Sequence, residues 1–223
     1  MTTAWSAFYP NIVPDLPGAP LDMVEHHVRE IVRDFCERTL FWQETIVLDL
    51  EDDTGIYSLI PDPIGDPLAT PYVVHRINRV EAVGSESDKP LDPTTEAELD
   101  EKIEVGWRQI KGPPKYYYRQ TPNLLRLVYR PDNHVDDGLS IYVAVKPTVN
   151  AVELLNDDIL EHYRNDIAYG VKGRMMLSPK KPYTDAQMGK ENERKYNAAV
   201  GAAATHRARD YTRRPARVRG YDR

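Results

Sequence analysis

Groups of neighbouring carboxylates are the first candidates for chemistry in this sequence. Three such groups occur: Glu51-Asp52-Asp53, Asp136-Asp137 and Asp157-Asp158. Carboxylate oxygens bind Mg²⁺ or Ca²⁺, so these groups raise the alternative of a metal-dependent hydrolase. Each group is equally well explained as a turn or as the start of a helix, because aspartate favours both. No nucleophile, base and orienting residue stand at a recognisable spacing, so we predict no enzyme activity, no catalytic residue, no cofactor and no metal site.

Histidine and cysteine are weaker candidates. His26 and His27 are adjacent on a predicted helix, where neighbouring side chains point in different directions and cannot form a metal-binding pair four residues apart. The other four histidines stand alone. Cys36, the single cysteine, lies in an apolar helical pattern and is predicted to be a small buried hydrophobe.

Three consecutive tyrosines, Tyr116, Tyr117 and Tyr118, stand between Lys115 and Arg119. Together with the basic C-terminus they could stack single-stranded bases, which is the alternative of a nucleic-acid-binding module. The favoured interpretation is a β-strand whose tyrosines alternate between the core and a subunit contact, because tyrosine is common in sheets and interfaces. The predicted subunit-interface residues are Tyr116, Tyr117, Tyr118, Tyr196 and Val200.

The most distinctive pattern is the basic segment, Arg207–Arg223. It contains seven Arg, no Lys and two Asp, a net charge of +5, whereas the whole chain carries −6 and the rest therefore −11. Three interpretations stay open: a tail that docks onto an acidic groove of another protein, contacts with DNA phosphates, or a solvated tail without a partner. The first is favoured, because arginine gives directed contacts to carboxylates. The predicted contact residues are Arg207, Arg209, Tyr211, Arg213, Arg214, Arg217, Arg219, Tyr221 and Arg223.

Composition limits the class of protein. Apolar residues make up 41% and charged residues 29% of the 223 residues, as in an ordinary soluble protein. No run approaches the roughly 18 apolar residues that a membrane span needs, so no membrane partner is predicted. The acidic balance argues against wrapping nucleic acid over the whole surface.

Proline divides the chain, since it breaks helix interiors. Stretches without proline occur at both ends, whereas eleven of the 18 prolines lie between Pro61 and Pro147. A first helix is predicted over Leu21–Thr39 from apolar residues at three- and four-residue steps. A second helix begins after Asn156, a favoured N-cap residue, and its Gly170 and Gly173 permit close approach to another helix.

The third predicted helix runs from Thr184 to Arg209 and has a thin apolar stripe. It needs close neighbours, for which another subunit is one source. Thr212–Arg223 is expected to be disordered unless a partner holds it.

The middle of the chain predicts β-strands, because apolar residues alternate along Ile46–Leu50 and along Leu139–Val145. Pro131–Gly138 is predicted to join the strand at Leu125–Tyr129 to the strand from Leu139 as a loose hairpin. Thr95 and Glu98 have the spacing of a capping box at the start of a short helix, Thr94–Ile103.

These elements predict an α+β fold, in which a bundle of N- and C-terminal helices carries an inserted antiparallel β domain and an extended C-terminal tail. The predicted domains are 1–43, the lead and first helix; 44–147, the β domain; 148–209, the C-terminal helices; and 210–223, the basic tail.

The order of these segments resembles the head-to-tail adaptor (neck or connector) proteins of tailed bacteriophages. Four stretches carry the resemblance: Tyr9–Thr45, with a proline-rich lead and a helix ending in Phe-Cys-Glu-Arg-Thr; Gly112–Asp132, with a tyrosine-rich strand and a Pro-Asp turn; Ile159–Asp185, with a helix closed by Pro-Lys-Lys-Pro-Tyr; and the last helix with its basic segment. Tyr183-Thr184 departs from the Trp-Ser or Trp-Asn of the family's turn, and Gly189 and Lys190 depart from its Ala-rich helix start.

The resemblance implies a structural virion protein without enzyme activity. It implies a homo-oligomeric ring, commonly dodecameric, that docks beneath the portal protein, contacts the next neck or tail protein and extends the channel for DNA ejection. Double-stranded DNA would pass through without sequence-specific binding. The C-terminal segments would reach into clefts of the portal, and the protein would reside in the virion neck after assembly in the host cytoplasm.

Overall fold

The computed structural model describes residues 3–60, 72–84, 90–102, 106–149, 151, 153–154 and 156–208. The α-helices in this part of the chain are α1 Leu21–Thr39, α2 Glu96–Lys102, α3 Asp157–Met176 and α4 Ala186–Ala208. The strands are β1 Thr3–Ala4, β2 Gln43–Leu50, β3 Ile56–Ser58, β4 Tyr72–Ala82, β5 Asp92–Pro93, β6 Tyr116–Thr121, β7 Leu124–Val128, β8 Val135–Pro147 and β9 Glu153–Leu154. The predicted α+β fold class is confirmed.

The chain divides into two compact units. The helical unit consists of Met1–Trp42 and the chain from Lys146 onward, and it contains α1, α3 and α4. The β unit is Gln43–Val145, which lies between the two parts of the helical unit in sequence. The predicted domain boundaries at 43/44, 147/148 and 209/210 stay predictions.

The bounds of α1 agree with the predicted first helix. Its apolar stripe faces the core of the helical unit, whereas Leu21 in the first turn is 54% exposed. The helix ends where Leu40 adopts a left-handed conformation (φ 53°) and its N–H donates to the Cys36 carbonyl at 2.9 Å. The residues of the stripe that are at most 3% exposed are Val24, Val28, Ile31, Val32 and Phe35.

Helices α3 and α4 pack closely because glycines line their contact. A Cβ atom on Gly173 would lie 2.9 Å from the backbone nitrogen of Glu193, and one on Gly189 would lie 2.9 Å from Leu177 Cγ. The predicted close approach at Gly173 is therefore confirmed. The neighbours that the thin stripe of α4 requires are α1 and α3 of the same chain.

The ends of α3 and α4 lie close to their predicted positions. Asn156 is the N-cap residue of α3, but its side chain makes no capping hydrogen bond. Helix α4 begins at Ala186, two residues after the predicted start, because Oδ1 of Asp185 accepts hydrogen bonds from the N–H groups of Gln187 (3.0 Å) and Met188 (2.9 Å).

The β unit contains two sheets with the strand orders β2-β8-β4 and β3-β7-β6-β5. Strand β8 is central in the first sheet and pairs antiparallel with β2, where Leu139 lies opposite Leu48 and Ile141 opposite Ile46. Alternate residues of β8 from Leu139 to Val145 are fully buried, which confirms the predicted period of two. In the second sheet β5 is parallel to β6, whereas the β6–β7 and β3–β7 pairs are antiparallel.

The predicted hairpin over Pro131–Gly138 is wrong. Strands β7 and β8 belong to different sheets, and β8 already begins at Val135, opposite Leu50 of β2. The alternation of apolar residues indicates which side chains of a strand face the core, but it does not indicate which strand lies alongside.

The short helix α2 begins with the predicted capping box. The Glu98 N–H donates to Oγ1 of Thr95 at 3.3 Å, and the Thr95 N–H donates to Oε2 of Glu98 at 3.2 Å. Both bonds satisfy donors that a helix start leaves without intrahelical partners.

Candidate functional site

The basic segment begins in the last turn of α4, which ends at Ala208. Arg207 is half-buried, and its Nε is buried without a hydrogen-bond partner among the described residues. The other predicted contact residues lie outside the described residues: Arg209, Tyr211, Arg213, Arg214, Arg217, Arg219, Tyr221 and Arg223. The structure thus places the start of the segment at the end of a packed helix.

The last two turns of α4, which include the start of the basic segment, expose small side chains. Gly201, Ala202 and Thr205 are exposed. A Cβ atom on Gly201 would meet nothing within 4 Å, in contrast to the glycines at the α3–α4 contact. Only Val200 and Ala203 of this stretch are buried.

Tyr196 and Val200, two of the predicted interface residues, are each 4% exposed within a single chain. The Tyr196 hydroxyl donates to Oδ2 of Asp34 at 2.8 Å and lies 3.3 Å from the Ile31 carbonyl oxygen. Burial, followed by this bond to Asp34, raises the pKa of Tyr196 far above its usual value near 10. Packing within one chain accounts for both side chains, and a role in a subunit interface stays a prediction.

The tyrosine run lies in β6. Tyr117 and Tyr118 point to opposite faces of the sheet, yet they are only 7% and 6% exposed, so they do not alternate between core and surface. Tyr118 packs with Leu99, Trp107 and Val128. Tyr116 is half-buried. Base stacking needs an exposed ring face, and Tyr117 and Tyr118 do not offer one. A subunit contact at these three residues stays a prediction.

A charged cavity of about 600 Å³ lies beside α1 in the helical unit. Arg29 forms an ion pair with Glu25, and its guanidinium lies 5.8 Å from the centre of the Trp5 ring. The Tyr9 hydroxyl donates to the same Glu25 at 3.0 Å, and burial together with this carboxylate raises the pKa of Tyr9 to about 12. The carboxylates lining the cavity are Asp22, Glu25, Glu30, Asp34 and Glu37.

Two of the three acidic groups form hydrogen bonds or ion pairs with other residues of the chain. Asp53 accepts from Arg130 at 3.2 Å, and this bond is the main cause that lowers the pKa of its carboxyl. Lys111 lies 3.3 Å from Asp52. In the second group, the Asp137 N–H donates to Oδ1 of Asp49 at 2.9 Å. Asp52 and Asp53 lie in a turn, which agrees with the interpretation of the first group, whereas Asp136 and Asp137 lie within β8, so the second group is neither a turn nor a helix start.

The third group differs. Asp158 lies near Glu161 and His162, with one possible ligand atom of each within 4.8 Å of the others, and all three side chains are exposed.

Cys36 is 1% exposed, and burial raises the pKa of its thiol to about 12. A thiol that keeps its proton at neutral pH is a poor nucleophile.

Comparison with known proteins agrees with the resemblance found in the sequence. The family model described as SU10 adaptor protein matches residues 8–219. The chain belongs to this family of phage head-to-tail adaptors. No curated protein matches the chain. The adaptor therefore has a structural role between the head and the tail of a phage.

The family match spans both units of the adaptor and continues through the basic segment as far as Arg219. No described helix of the adaptor is both long enough and apolar enough to cross a membrane.

The sequence did not predict the bond between Tyr196 and Asp34, because 162 positions separate the two residues and no local pattern connects them. It also missed the cavity beside α1, whose lining comes from α1, α3 and Val149.

Proposed function

We propose that the adaptor forms a homo-oligomeric ring, commonly dodecameric in its family, between the portal and the next neck or tail protein. The basic segment docks into the portal, and the ring extends the channel through which DNA leaves the head. The protein resides in the virion neck after assembly in the host cytoplasm. The family match, which includes the basic segment up to Arg219, carries this proposal.

The chemistry of the basic segment supports docking to a protein. Its seven arginines can form paired hydrogen bonds with carboxylates, and tyrosines at Tyr211 and Tyr221 supply the aromatic anchors that interfaces favour. An acidic groove of the portal is the partner that this composition fits.

The charge of the remaining chain supports a channel through which DNA slides. The residues before Arg207 carry a net charge of −11, and a negative wall repels phosphates instead of holding them. We expect the purified adaptor to show no salt-dependent affinity for double-stranded DNA in a gel-shift titration. Affinity that falls steeply with added salt would favour the nucleic-acid-binding alternative.

The decisive experiment compares the full chain with a chain that ends at Ala208. We expect the shortened chain to lose co-purification with purified portal while its far-UV circular dichroism stays nearly unchanged, because α4 ends at Ala208. Electron microscopy of the full complex would show the ring and its number of subunits. Undiminished portal binding by the shortened chain would overturn the docking proposal.

A matched pair of variants separates directed contacts from total charge. Arg213→Gln/Arg214→Gln removes two positive charges from the basic segment, and Arg76→Gln/Arg79→Gln removes two from exposed positions of β4. We expect only the first pair to weaken portal binding. Equal losses in both variants would mean that net charge, and not the segment, governs the association.

A further inference from the structure

Two histidines of α1 share one carboxylate. Glu30 lies four residues after His26 and three after His27, so it is a neighbour of both on the helix surface. Nε2 of His26 is 3.6 Å from Oε1 of Glu30, and Nδ1 of His27 is 3.7 Å from Oε2. One possible ligand atom from each of the three residues lies within 4.8 Å of the others. The sequence prediction excluded a metal-binding pair at these histidines because adjacent side chains point in different directions, but the two ring centres lie only 5.4 Å apart and both rings face Glu30.

The nitrogen of His27 that faces Glu30 lacks a conventional partner. Nδ1 of His27 is buried and makes no hydrogen bond within the described part of the chain. A buried polar atom without a partner is unfavourable, and a bound cation would satisfy its lone pair.

Arg174 of α3 holds Glu30 in position. Its Nη1 donates to Oε2 of Glu30 at 2.6 Å, which leaves Oε1 facing His26. Carboxylates that bind metals are commonly oriented in this way by a second hydrogen-bonding group.

The surroundings favour a cation. Five carboxylates and three arginines line the cavity beside His26, so these eight charged side chains carry a surplus of negative charge. His26 is 65% exposed, so an ion could enter from solvent and keep water on its open positions.

We propose that His26, His27 and Glu30 form a binding site for a divalent transition-metal ion, of which Zn²⁺ is the best match. Two imidazole nitrogens and one carboxylate oxygen are a ligand set that Zn²⁺ accepts, with a fourth position left to water. Rotations of the side chains would bring the three atoms to the metal–ligand distances of about 2.0–2.2 Å that Zn²⁺ requires. Mg²⁺ and Ca²⁺ fit less well, because they prefer oxygen ligands.

The test uses the untagged full chain, titrated with ZnCl₂ in a calorimeter. We expect one Zn²⁺ per chain and at least a tenfold weaker affinity in His26→Ala and in Glu30→Gln. Both positions are substantially exposed, so circular dichroism should show unchanged folding. His162→Ala is the matched control, since it removes the imidazole from the exposed Asp158–Glu161–His162 group, and we expect it to leave Zn²⁺ affinity unchanged.

A spectroscopic measurement checks the ligand set. Co²⁺ bound in place of Zn²⁺ should show the strong visible absorption of a tetrahedral site, and His27→Ala should abolish it. Absence of Zn²⁺ binding would overturn the proposal. So would binding that survives both His26→Ala and Glu30→Gln, or binding that is lost in His162→Ala.

Discussion

The helical unit and the β unit each bury a tyrosine, but they hold it by different forces. In the helical unit, Tyr196 of α4 donates to Asp34 of α1, and Arg38 bonds the same carboxylate at 3.3 Å. In the β unit, Tyr118 packs edge-on against Trp107 with ring centres 6.0 Å apart, and its buried hydroxyl makes no hydrogen bond within the described chain. Directional polar contacts select which helix lies beside which, whereas apolar contact suffices where backbone pairing already aligns the strands.

The largest expected effect tests whether the two units unfold separately. Phe35→Ala should cost the helical unit about 3–5 kcal/mol, and Leu125→Ala should cost the β unit about 2–5 kcal/mol, since each side chain is fully buried and its truncation leaves a cavity. We expect scanning calorimetry to show two transitions, with each variant lowering a different one. A single transition lowered by both variants would show one cooperative structure.

Two glycines of the helical unit sharpen the comparison, because alanine should affect them in opposite directions. Gly173→Ala places a Cβ atom 2.9 Å from the backbone of Glu193 and should destabilise the protein by about 1–3 kcal/mol. Gly201→Ala meets nothing within 4 Å and should stabilise it by up to about 1 kcal/mol through helix propensity. Urea unfolding measures the change in stability of each variant. Stabilisation by both substitutions would contradict the close α3–α4 contact.

Removing one oxygen atom from each tyrosine tests the comparison directly. Tyr196→Phe leaves part of the Asp34 carboxylate without its donor and should cost about 1–2 kcal/mol. Tyr118→Phe removes a hydroxyl without a hydrogen bond and should change the free energy of unfolding by less than about 0.5 kcal/mol. Denaturant titration of both variants gives the difference, and a larger cost at Tyr118 would reverse the comparison.

The pH dependence adds a second measurement at Tyr196. Its pKa is raised in the folded protein, so the unfolded chain ionises first, near pH 10. The stabilisation is fully present below that pH and is lost as the pH rises above it. We expect the alkaline decline in stability to be shallower in Tyr196→Phe than in the parent chain, and an unchanged slope would contradict the raised pKa.

A smaller effect than that of Tyr196→Phe is expected at the capping box of α2. Thr95→Ala removes one of its two hydrogen bonds and should lower stability by about 0.5 kcal/mol. Thr95→Ser keeps the hydroxyl and serves as the control. Urea unfolding should place the serine variant closer to the parent chain than the alanine variant, and equal losses would mean that the hydroxyl does not cap the helix.

Local patterns accounted for much of the fold. The stripe from Val24 to Phe35 predicted α1 with its observed bounds, because a helix repeats its faces within a few residues. The spacing of Thr95 and Glu98 likewise predicted the capping box that is observed at the start of α2. Local patterns did not predict to which sheet β7 belongs, and the predicted hairpin between β7 and β8 was therefore wrong.

The proposed metal site shows an intermediate case. The spacing of His26, His27 and Glu30 is local and visible in the sequence, but the burial of Nδ1 of His27 and the contact from Arg174 come from the packing of α3 on α1. Spacing can place side chains on one helix face, whereas desolvation depends on what covers that face.

The sequence by itself determined the helix positions, the alternation of β8, the acidic body with its basic segment, and the resemblance to phage adaptors. Each of these depends on residue types at short separation or on composition. Only the tertiary structure decided the partner of Tyr196, the close contact of Gly173 with α4, the division of strands into two sheets and the cavity beside α1. Each of these features brings together residues that are distant in the chain. The local sequence pattern is compatible with many such pairings, and close packing of the folded chain selects one of them.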